Sequence, residues 1–188
     1  MTENMYDFEN IAGIDEVGRG PLAGPVVSAA VILPKDCNLP VDDSKKLSEK
    51  KRNQLFVQIK EQAIAIGIGI IDHEIIDKIN ILQATKLSML QAIEKLDIQP
   101  DFLLIDALTL DTKIPQLAII GGDGKNASIA AASIIAKVTR DSIMVDYHQK
   151  YPEYFFHKNK GYGVPAHIAA IKEHGLCTIH RRSFTKKL

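Results

Sequence analysis

Three apolar segments of the chain each end in an aspartate, and this repeated pattern limits the fold more than any other feature. The segments are 11–15 (IAGID), 102–106 (FLLID) and 117–123 (LAIIGGD). Short apolar runs of this kind are typical of buried strands. In open α/β sheets, the carboxyl ends of parallel strands form the edge where ligands bind. We therefore expect Asp15, Asp106 and Asp123 to lie close together at one edge of a sheet.

Glu16 follows Asp15 directly, so four carboxylates would share this edge. Carboxylates brought together repel one another, and burying them unpaired is costly. A hard divalent cation removes that cost, because Mg²⁺ and Mn²⁺ prefer oxygen ligands, and one or two such ions can promote phosphodiester hydrolysis. No cysteine and histidine spacing typical of zinc sites is present. An aspartate after a strand is also a common turn or capping residue, so each one alone is more often structural.

Strand geometry places a condition on Asp15 and Glu16. Consecutive residues of a regular strand face opposite sides of the sheet. Both side chains can therefore serve one metal ion only if the strand ends or bulges here, which Gly13 and Gly18 favour. We expect an interruption of the first strand at this point.

Apolar periodicity predicts an alternation of strands and helices along the chain. Strands are expected at 11–15, 25–33, 64–71, 102–106 and 117–120, with the second paired back onto the first and the last two buried. Helices are expected at 48–62, 79–96, 128–150 and 165–174. The run Ser48-Glu49-Lys50-Lys51 is interpreted as a capping box that starts the first helix. The pattern predicts an α/β fold, a central sheet flanked by helices, with one domain over 1–188.

Composition excludes several classes of protein. Hydrophobic residues make up 46% and charged residues 24%, which is unlike a disordered chain or a disulfide scaffold. The longest apolar runs, 63–71 and 127–136, fall short of the roughly 18 residues that a membrane-spanning helix needs. The first ten residues contain no basic residue, unlike a secretory signal. Cys37 and Cys177 are expected to be reduced thiols. We expect a cytoplasmic protein and, without a heptad pattern, a monomer.

The zero net charge hides an asymmetry along the chain. Residues 1–136 contain 13 basic and 19 acidic residues, whereas 137–188, a basic helical C-terminal segment, contain 10 and 4. Such a segment beside acidic residues is typical of a polyanion-binding face next to a metal site. A solvated helical surface explains the charges equally well.

Glycines flank an arginine at Gly18-Arg19-Gly20. They let the backbone approach a ligand closely, and exposed N–H groups there can meet a phosphate or a sugar hydroxyl. A tight turn is the simpler explanation of this motif when it is taken alone.

Seven motifs in order resemble those of the type 2 ribonuclease H family, specifically bacterial ribonuclease HII. They are GIDEVGRGPLAGPVVSAAVIL, DDSKKLSEKKR, INILQATKLSM, LLIDAL, GGDGKNASIAAASIIAKVTRD, NKGYGVPAHIAAIKEHG and HRRSF. The resemblance extends from about Ile11 to Phe184. It implies the ribonuclease H-like fold, a mixed sheet with helices on both faces.

The resemblance also implies an activity. Such enzymes hydrolyse the RNA strand of RNA–DNA hybrids and nick duplex DNA 5′ to an embedded ribonucleotide. They leave 3′-hydroxyl and 5′-phosphate ends and require Mn²⁺ or Mg²⁺. The four metal-binding carboxylates of the family correspond to Asp15, Glu16, Asp106 and Asp123. Asp141 is expected to pair with a nearby base instead.

Substrate contacts follow from the same resemblance. The family motif G-R-G corresponds to Gly18, Arg19 and Gly20, which would contact the 2′-hydroxyl of the junction ribonucleotide, and Tyr162 would pack on the neighbouring sugar. The chain departs from the family at Gly121, where lysine is common, and at Val164, where threonine is common. These departures remove a cation and a hydroxyl.

Contacts with the phosphate backbone are expected from basic and polar residues outside these motifs. The candidates are Ser44, Lys45, Lys46, Lys137, Arg140, Arg181 and Arg182. His148 and His180 are either proton shuttles or, more simply, structural histidines. Two other functions stay open: a metal-dependent phosphodiesterase or nuclease without ribonucleotide specificity, and a non-catalytic binder of hybrids.

Overall fold

A five-stranded mixed sheet forms the centre of the computed structural model, which describes residues 8–41, 44, 47–186 and 188. The strands are β1 (Ile11–Val17), β2 (Val26–Ile32), β3 (Ala65–Ile71), β4 (Phe102–Asp106) and β5 (Gln116–Ile119). Their order is β3-β2-β1-β4-β5, antiparallel on the β1–β2–β3 side and parallel on the β1–β4–β5 side. The predicted α/β fold and the pairing of the second strand with the first are confirmed.

Six helices lie within the described part of the chain. They are α1 (Glu49–Gln62), α2 (His73–Glu94), α3 (Ala127–Lys150), α4 (Phe156–Asn159), α5 (Pro165–His174) and α6 (Arg182–Thr185), with 3-10 turns at Gly122–Gly124 and Pro152–Tyr154. Helix α2 buries Met89 and Ala92 against one face of the sheet, whereas α1 and α3 cover the other. No helix among the described residues is long and apolar enough to cross a membrane.

Glycines let the helices approach the sheet closely. A Cβ atom at Gly13 would lie 2.1 Å from the backbone of Ser128, so α3 packs directly on β1. A Cβ atom at Gly69 would lie 1.8 Å from the carbonyl oxygen of Ser88, which brings α2 equally close to β3. The two halves of the sheet that flank the aspartates are therefore held rigidly between helices.

Three local predictions were wrong, each for an identifiable reason. Strand β1 is not interrupted at Asp15, because its pairing with β2 continues without a break to Val17. Strand β5 is not buried: it is the edge strand, and Leu117 is 47% exposed. The helix predicted at 79–96 is confirmed as the second part of α2, which follows a break at Asn80 (φ 67°) and is capped by the Asn80 side chain; the first part, from His73, was not predicted. The reciprocal half of a capping box is missing at α1, because the third helical residue is Lys51.

The remaining elements pack on the far end of α3. Met144 of α3, Tyr154, Phe156 and Ile171 form a separate apolar cluster with Ala23. Ala23 lies in the connection between β1 and β2, so this cluster fastens the C-terminal helices to that connection. Cys37 and Cys177 are free thiols.

Candidate active site

The parallel strands place two of the predicted carboxylates at the same level. Ile14 of β1 pairs with Ile105 of β4, so Asp15 and Asp106 come next on adjacent strands. The backbone N–H of Gly122 donates to Oδ1 of Asp106 at 2.8 Å, which brings the 3-10 turn that carries Asp123 to the same edge. Asp15 is 4% exposed and Asp123 is 8% exposed. The strand-end pattern thus brings Asp15 and Asp106 to neighbouring positions, and the turn that carries Asp123 lies at the same edge.

Unfavourable electrostatics mark this edge. Burial, the charge of Glu16 and the charge of Asp106 raise the pKa of Asp15 well above its usual value, although a hydrogen bond from Ser133 lowers it. Burial also raises the pKa of Glu16, and Arg19 opposes that shift. The charge of Asp106 raises the pKa of both Asp15 and Glu16, so these carboxylates lie within electrostatic reach of it although strand β1 continues to Val17.

Glu16 is only partly satisfied. Its Oε1 accepts a hydrogen bond from Nη1 of Arg19 at 3.3 Å, whereas its Oε2 is buried without a hydrogen-bond partner. Among the residues that the structure describes, no three carboxylate, imidazole or thiol groups are drawn together tightly enough to hold an ion as they stand. An orphaned carboxylate oxygen, repulsion between acids and an all-oxygen donor set nevertheless fit a hard divalent cation.

The loop between β1 and β2 is held from beneath by two buried arginines. Arg181 donates to the carbonyl oxygens of Gly18 (2.6 Å), Arg19 (3.0 Å) and Gly24 (3.0 Å). Its guanidinium group and that of Arg140, the second arginine, are fully buried. Burial lowers the pKa of Arg140 to about 10 and that of Arg181 to about 9, so both stay charged at neutral pH.

Arg140 completes this arrangement from helix α3. It donates to the carbonyl oxygens of Ala23 (3.2 Å), Pro25 (2.9 Å) and Lys160 (3.0 Å). A Cβ atom at Gly18, where φ is +95°, would lie 2.2 Å from Nε of Arg140, so only glycine fits there. The loop carbonyls turn inward, and Arg19 and Gly20 stay exposed.

Tyr162 lies beside this loop. A Cβ atom at Gly20 would be 3.8 Å from Cε1 of Tyr162, and the guanidinium of Arg140 lies 5.9 Å from the centre of the tyrosine ring. The ring is 40% exposed. The structure therefore brings together the glycine–arginine motif and the tyrosine, which are far apart in sequence.

The chain closely matches known proteins over almost its whole length. A family model described as ribonuclease HII matches residues 12–187. The ribonuclease HII of Enterococcus faecalis (strain ATCC 700802 / V583) is 61% identical over 175 residues, which cover 93% of this chain and 69% of that protein. That of Ligilactobacillus salivarius (strain UCC118) is 57% identical over 187 residues, 98% of this chain and 73% of that protein. The chain belongs to the ribonuclease HII family.

Solved structures agree with the fold of that family. The ribonuclease H2 of Pyrococcus horikoshii OT3 has a TM-score of 0.79 at 27% identity and 94% coverage of both chains. The RNase HII of Archaeoglobus fulgidus, solved in a complex with PCNA, has a TM-score of 0.81 at 27% identity and 96% coverage of both chains. Membership of the ribonuclease HII family makes this chain a metal-dependent endoribonuclease that acts on RNA–DNA hybrids.

The structure corrects three predicted phosphate contacts. The buried guanidinium groups of Arg140 and Arg181 donate hydrogen bonds to backbone carbonyl oxygens and cannot reach a phosphate. Ser44 is 3% exposed, and its hydroxyl is hydrogen-bonded to that of Ser133 of α3 at 2.8 Å. The signal for Arg140 was available: on α3 it continues a buried stripe between Ala136 and Met144, four residues away on either side.

The other predicted phosphate contacts lie in varied surroundings. Lys137 pairs with Asp141 at 2.9 Å, as expected for Asp141. Arg182 is exposed. Lys45 and Lys46 lie outside the described residues.

Proposed function

We propose that this ribonuclease HII also nicks duplex DNA 5′ to a single embedded ribonucleotide, leaving 3′-hydroxyl and 5′-phosphate ends. The observation that carries the proposal is the contact between Arg19 and Glu16, which joins the glycine–arginine loop to the carboxylate edge. A group that recognises a ribose 2′-hydroxyl through this loop lies next to the carboxylates that would act on the adjoining phosphodiester.

Asp15, Glu16, Asp106 and Asp123 would hold the metal, Mn²⁺ or Mg²⁺. Bound there, such ions supply Lewis acidity and a water of lowered pKa for in-line hydrolysis. The backbone N–H of Glu16 donates to Oδ1 of Asp15 at 2.7 Å, and the N–H of Gly122 orients the carboxylate of Asp106. The chain itself therefore orients at least two of the four acids before any ion binds.

Ribonucleotide recognition rests on the exposed part of the loop. Because Arg140 and Arg181 engage the loop carbonyls from within, Arg19 and Gly20 face outward. The 2′-hydroxyl is both donor and acceptor, and it is the group that distinguishes RNA from DNA. Gly18, Arg19 and Gly20 would contact it, and Tyr162 would pack on the next sugar.

Phosphate contacts would come from other basic side chains of the chain, namely Lys45, Lys46, Lys137 and Arg182. Lys137 can exchange Asp141 for a phosphate, since a partly exposed pair is weak. We further propose that the protein acts as a cytoplasmic monomer with one domain over 1–188, which size-exclusion chromatography and limited proteolysis would test.

Cleavage of three labelled duplexes tests the function: one with a single embedded ribonucleotide, one RNA–DNA hybrid and one of DNA only. Each is incubated with Mn²⁺, with Mg²⁺ and with chelator. We expect metal-dependent cleavage of the first two and none of the third. Cleavage of all three would identify a nuclease without ribonucleotide specificity, and binding without cleavage would identify a non-catalytic binder.

A further inference from the structure

Two histidines form a buried pair that the proposed reaction does not use. His167 of α5 and His180, which precedes α6, are 0% and 2% exposed. Their Nε2 atoms are 3.0 Å apart. The rings of Tyr154 and Phe156 pack edge-on or tilted against both imidazoles and exclude water.

The hydrogen bonds at both ends determine the tautomers. The carbonyl oxygen of Tyr162 can only accept, so Nδ1 of His167, 2.8 Å away, carries a proton. The backbone N–H of Cys177 can only donate, so Nδ1 of His180, 3.0 Å away, is unprotonated. A neutral His180 then has its proton on Nε2 and donates it to the free Nε2 of His167. The Tyr162 carbonyl and the Cys177 N–H thus require the same arrangement between the two Nε2 atoms: a proton on that of His180 and none on that of His167.

Neutral rings are what this arrangement needs. A second proton on either imidazole would place two donors against each other, at the Nε2 atoms or at Cys177. Burial lowers the pKa of His180 to about 4 and also lowers the pKa of His167. Both imidazoles are therefore neutral at pH 7.

The pair connects the two elements assigned to the substrate. At one end, the Tyr162 carbonyl also accepts from Val164, and the Tyr162 N–H donates to Asn159, so the backbone of Tyr162 is fully bonded. At the other end, His180 precedes Arg181, whose guanidinium binds the carbonyls of Gly18 and Arg19. His167 and His180 bridge these two anchors through their side chains, beside Arg140, which joins the carbonyl of Lys160 to those of Ala23 and Pro25.

We propose that the His167–His180 pair is a positioning device, which sets the location of Tyr162 relative to the Gly18-Arg19-Gly20 loop and thereby the discrimination of the RNA–DNA junction. The substrate part of this inference rests on the role of Tyr162 given under the proposed function. Neither histidine touches the substrate; each acts through the backbone that it holds.

The tautomers are tested first on the unmodified protein, by long-range ¹⁵N–¹H correlation of its imidazole rings at pH 7. We expect a proton on Nδ1 of His167 and on Nε2 of His180. The opposite tautomers, or a charged ring, would overturn the proposal whatever the activity of the enzyme is.

Two substitutions of one residue then separate positioning from mere packing. His167→Asn keeps an amide donor near the Nδ1 position, toward Tyr162, whereas His167→Gln keeps only an acceptor near the Nε2 position, toward His180. The readout is the ratio of kcat/KM on the single-ribonucleotide duplex to that on a continuous hybrid. We expect H167Q to lower this ratio by roughly three- to tenfold, the effect of one neutral hydrogen bond. H167N, which loses the contact with His180 and so breaks the bridge at its other half, should lower the ratio as well, whereas H174Q, which changes an exposed histidine of the same helix, should keep it.

Tyr162→Ala distinguishes failure of the proposal from failure of the proposed function. If Y162A lowers the ratio and H167Q does not, the positioning role is wrong. If Y162A leaves the ratio unchanged, the substrate role of Tyr162 is wrong, and the proposed effect on discrimination falls with it. If H167N and H167Q lose activity equally on both substrates, so that the ratio does not change, the pair has only a packing role and the proposal is also overturned.

Discussion

Two regions of this ribonuclease HII bury charge, and they do so in opposite ways. The guanidinium core, Arg140 and Arg181, directs each of its guanidinium nitrogens at a backbone carbonyl. The carboxylate edge, formed by Asp15, Glu16, Asp106 and Asp123, sets acids against acids and leaves Oε2 of Glu16 without a partner. The core is complete as folded, whereas the edge would be completed by the cation that we propose for it.

This difference shows which buried charges stabilise the folded state and which destabilise it. A buried charge with good hydrogen bonds costs little, and the same charge with a missing partner is strongly destabilising. The chain satisfies the loop that would recognise the ribose and leaves the repulsion where a metal would relieve it. Each of the following changes breaks one of the regions or the contact between them.

The largest effect is expected from Asp106→Asn at the carboxylate edge. Asp106 raises the pKa of both Asp15 and Glu16 and accepts from Gly122, so it is central to the edge. Loss of a carboxylate that we propose to bind the metal should lower kcat by on the order of 10⁴-fold. The same change removes repulsion, so the melting temperature measured with chelator should not fall.

Asp111→Asn is the matched control for this prediction, because Asp111 is an exposed acid in the connection between β4 and β5, five residues after Asp106. D111N should cleave as the unmodified enzyme does. A D106N variant that cleaves well, or one that unfolds more easily in chelator, would contradict the division between the two regions.

The next largest effect concerns the guanidinium core. Arg181→Met leaves the carbonyls of Gly18, Arg19 and Gly24 without their donor and should lower the free energy of unfolding by about 3 kcal/mol. Arg182→Met changes the adjacent, exposed arginine and should cost less than about 0.5 kcal/mol. Urea denaturation of both variants measures the difference, and equal stability would show that the core orients the loop without stabilising the fold.

Metal and pH should act together on the carboxylate edge. Burial and repulsion raise the pKa values of Asp15 and Glu16, so above the ordinary carboxyl value of about 4 the folded state binds more protons than the unfolded state. Stability in chelator should therefore fall as pH rises through the window between the ordinary and the raised values. Asp15→Asn should weaken this dependence, which isolates it from that of other acids.

Mn²⁺ should reverse the loss at neutral pH. An ion present at a hundredfold excess over its Kd stabilises the folded state by about 2.7 kcal/mol. Melting curves with and without Mn²⁺ at pH 5 and pH 7 measure the effect, which should be larger at pH 7. A stability that rises with pH in chelator, with no contribution from Asp15, would contradict the repulsion at this edge.

The carboxylate edge was more predictable from sequence than the guanidinium core. Apolar runs that end in Asp15 and Asp106 indicate strand ends directly, and parallel pairing then brings the two residues together. No local pattern distinguishes Arg181, which is buried, from Arg182, which is exposed. The role of Arg181 depends on contacts with Gly18 and Gly24, more than 150 residues away, as the separations of 163 and 157 show.

The smallest expected effect lies at the contact between the two regions. Arg19 is held by the core through its carbonyl, and its exposed guanidinium lies 3.3 Å from Oε1 of Glu16. There it would compete with the proposed metal ion for the same oxygen and repel it. Arg19→Met should therefore tighten Mn²⁺ binding about threefold, as expected for a half-exposed pair, while cleavage of the ribonucleotide substrate falls. Isothermal titration with Mn²⁺ measures the affinity, with Arg182→Met as the control for net charge. Weaker binding in R19M would mean that Arg19 holds Glu16 in place for the metal. The glycine–arginine loop would then be part of the carboxylate edge as much as of the guanidinium core.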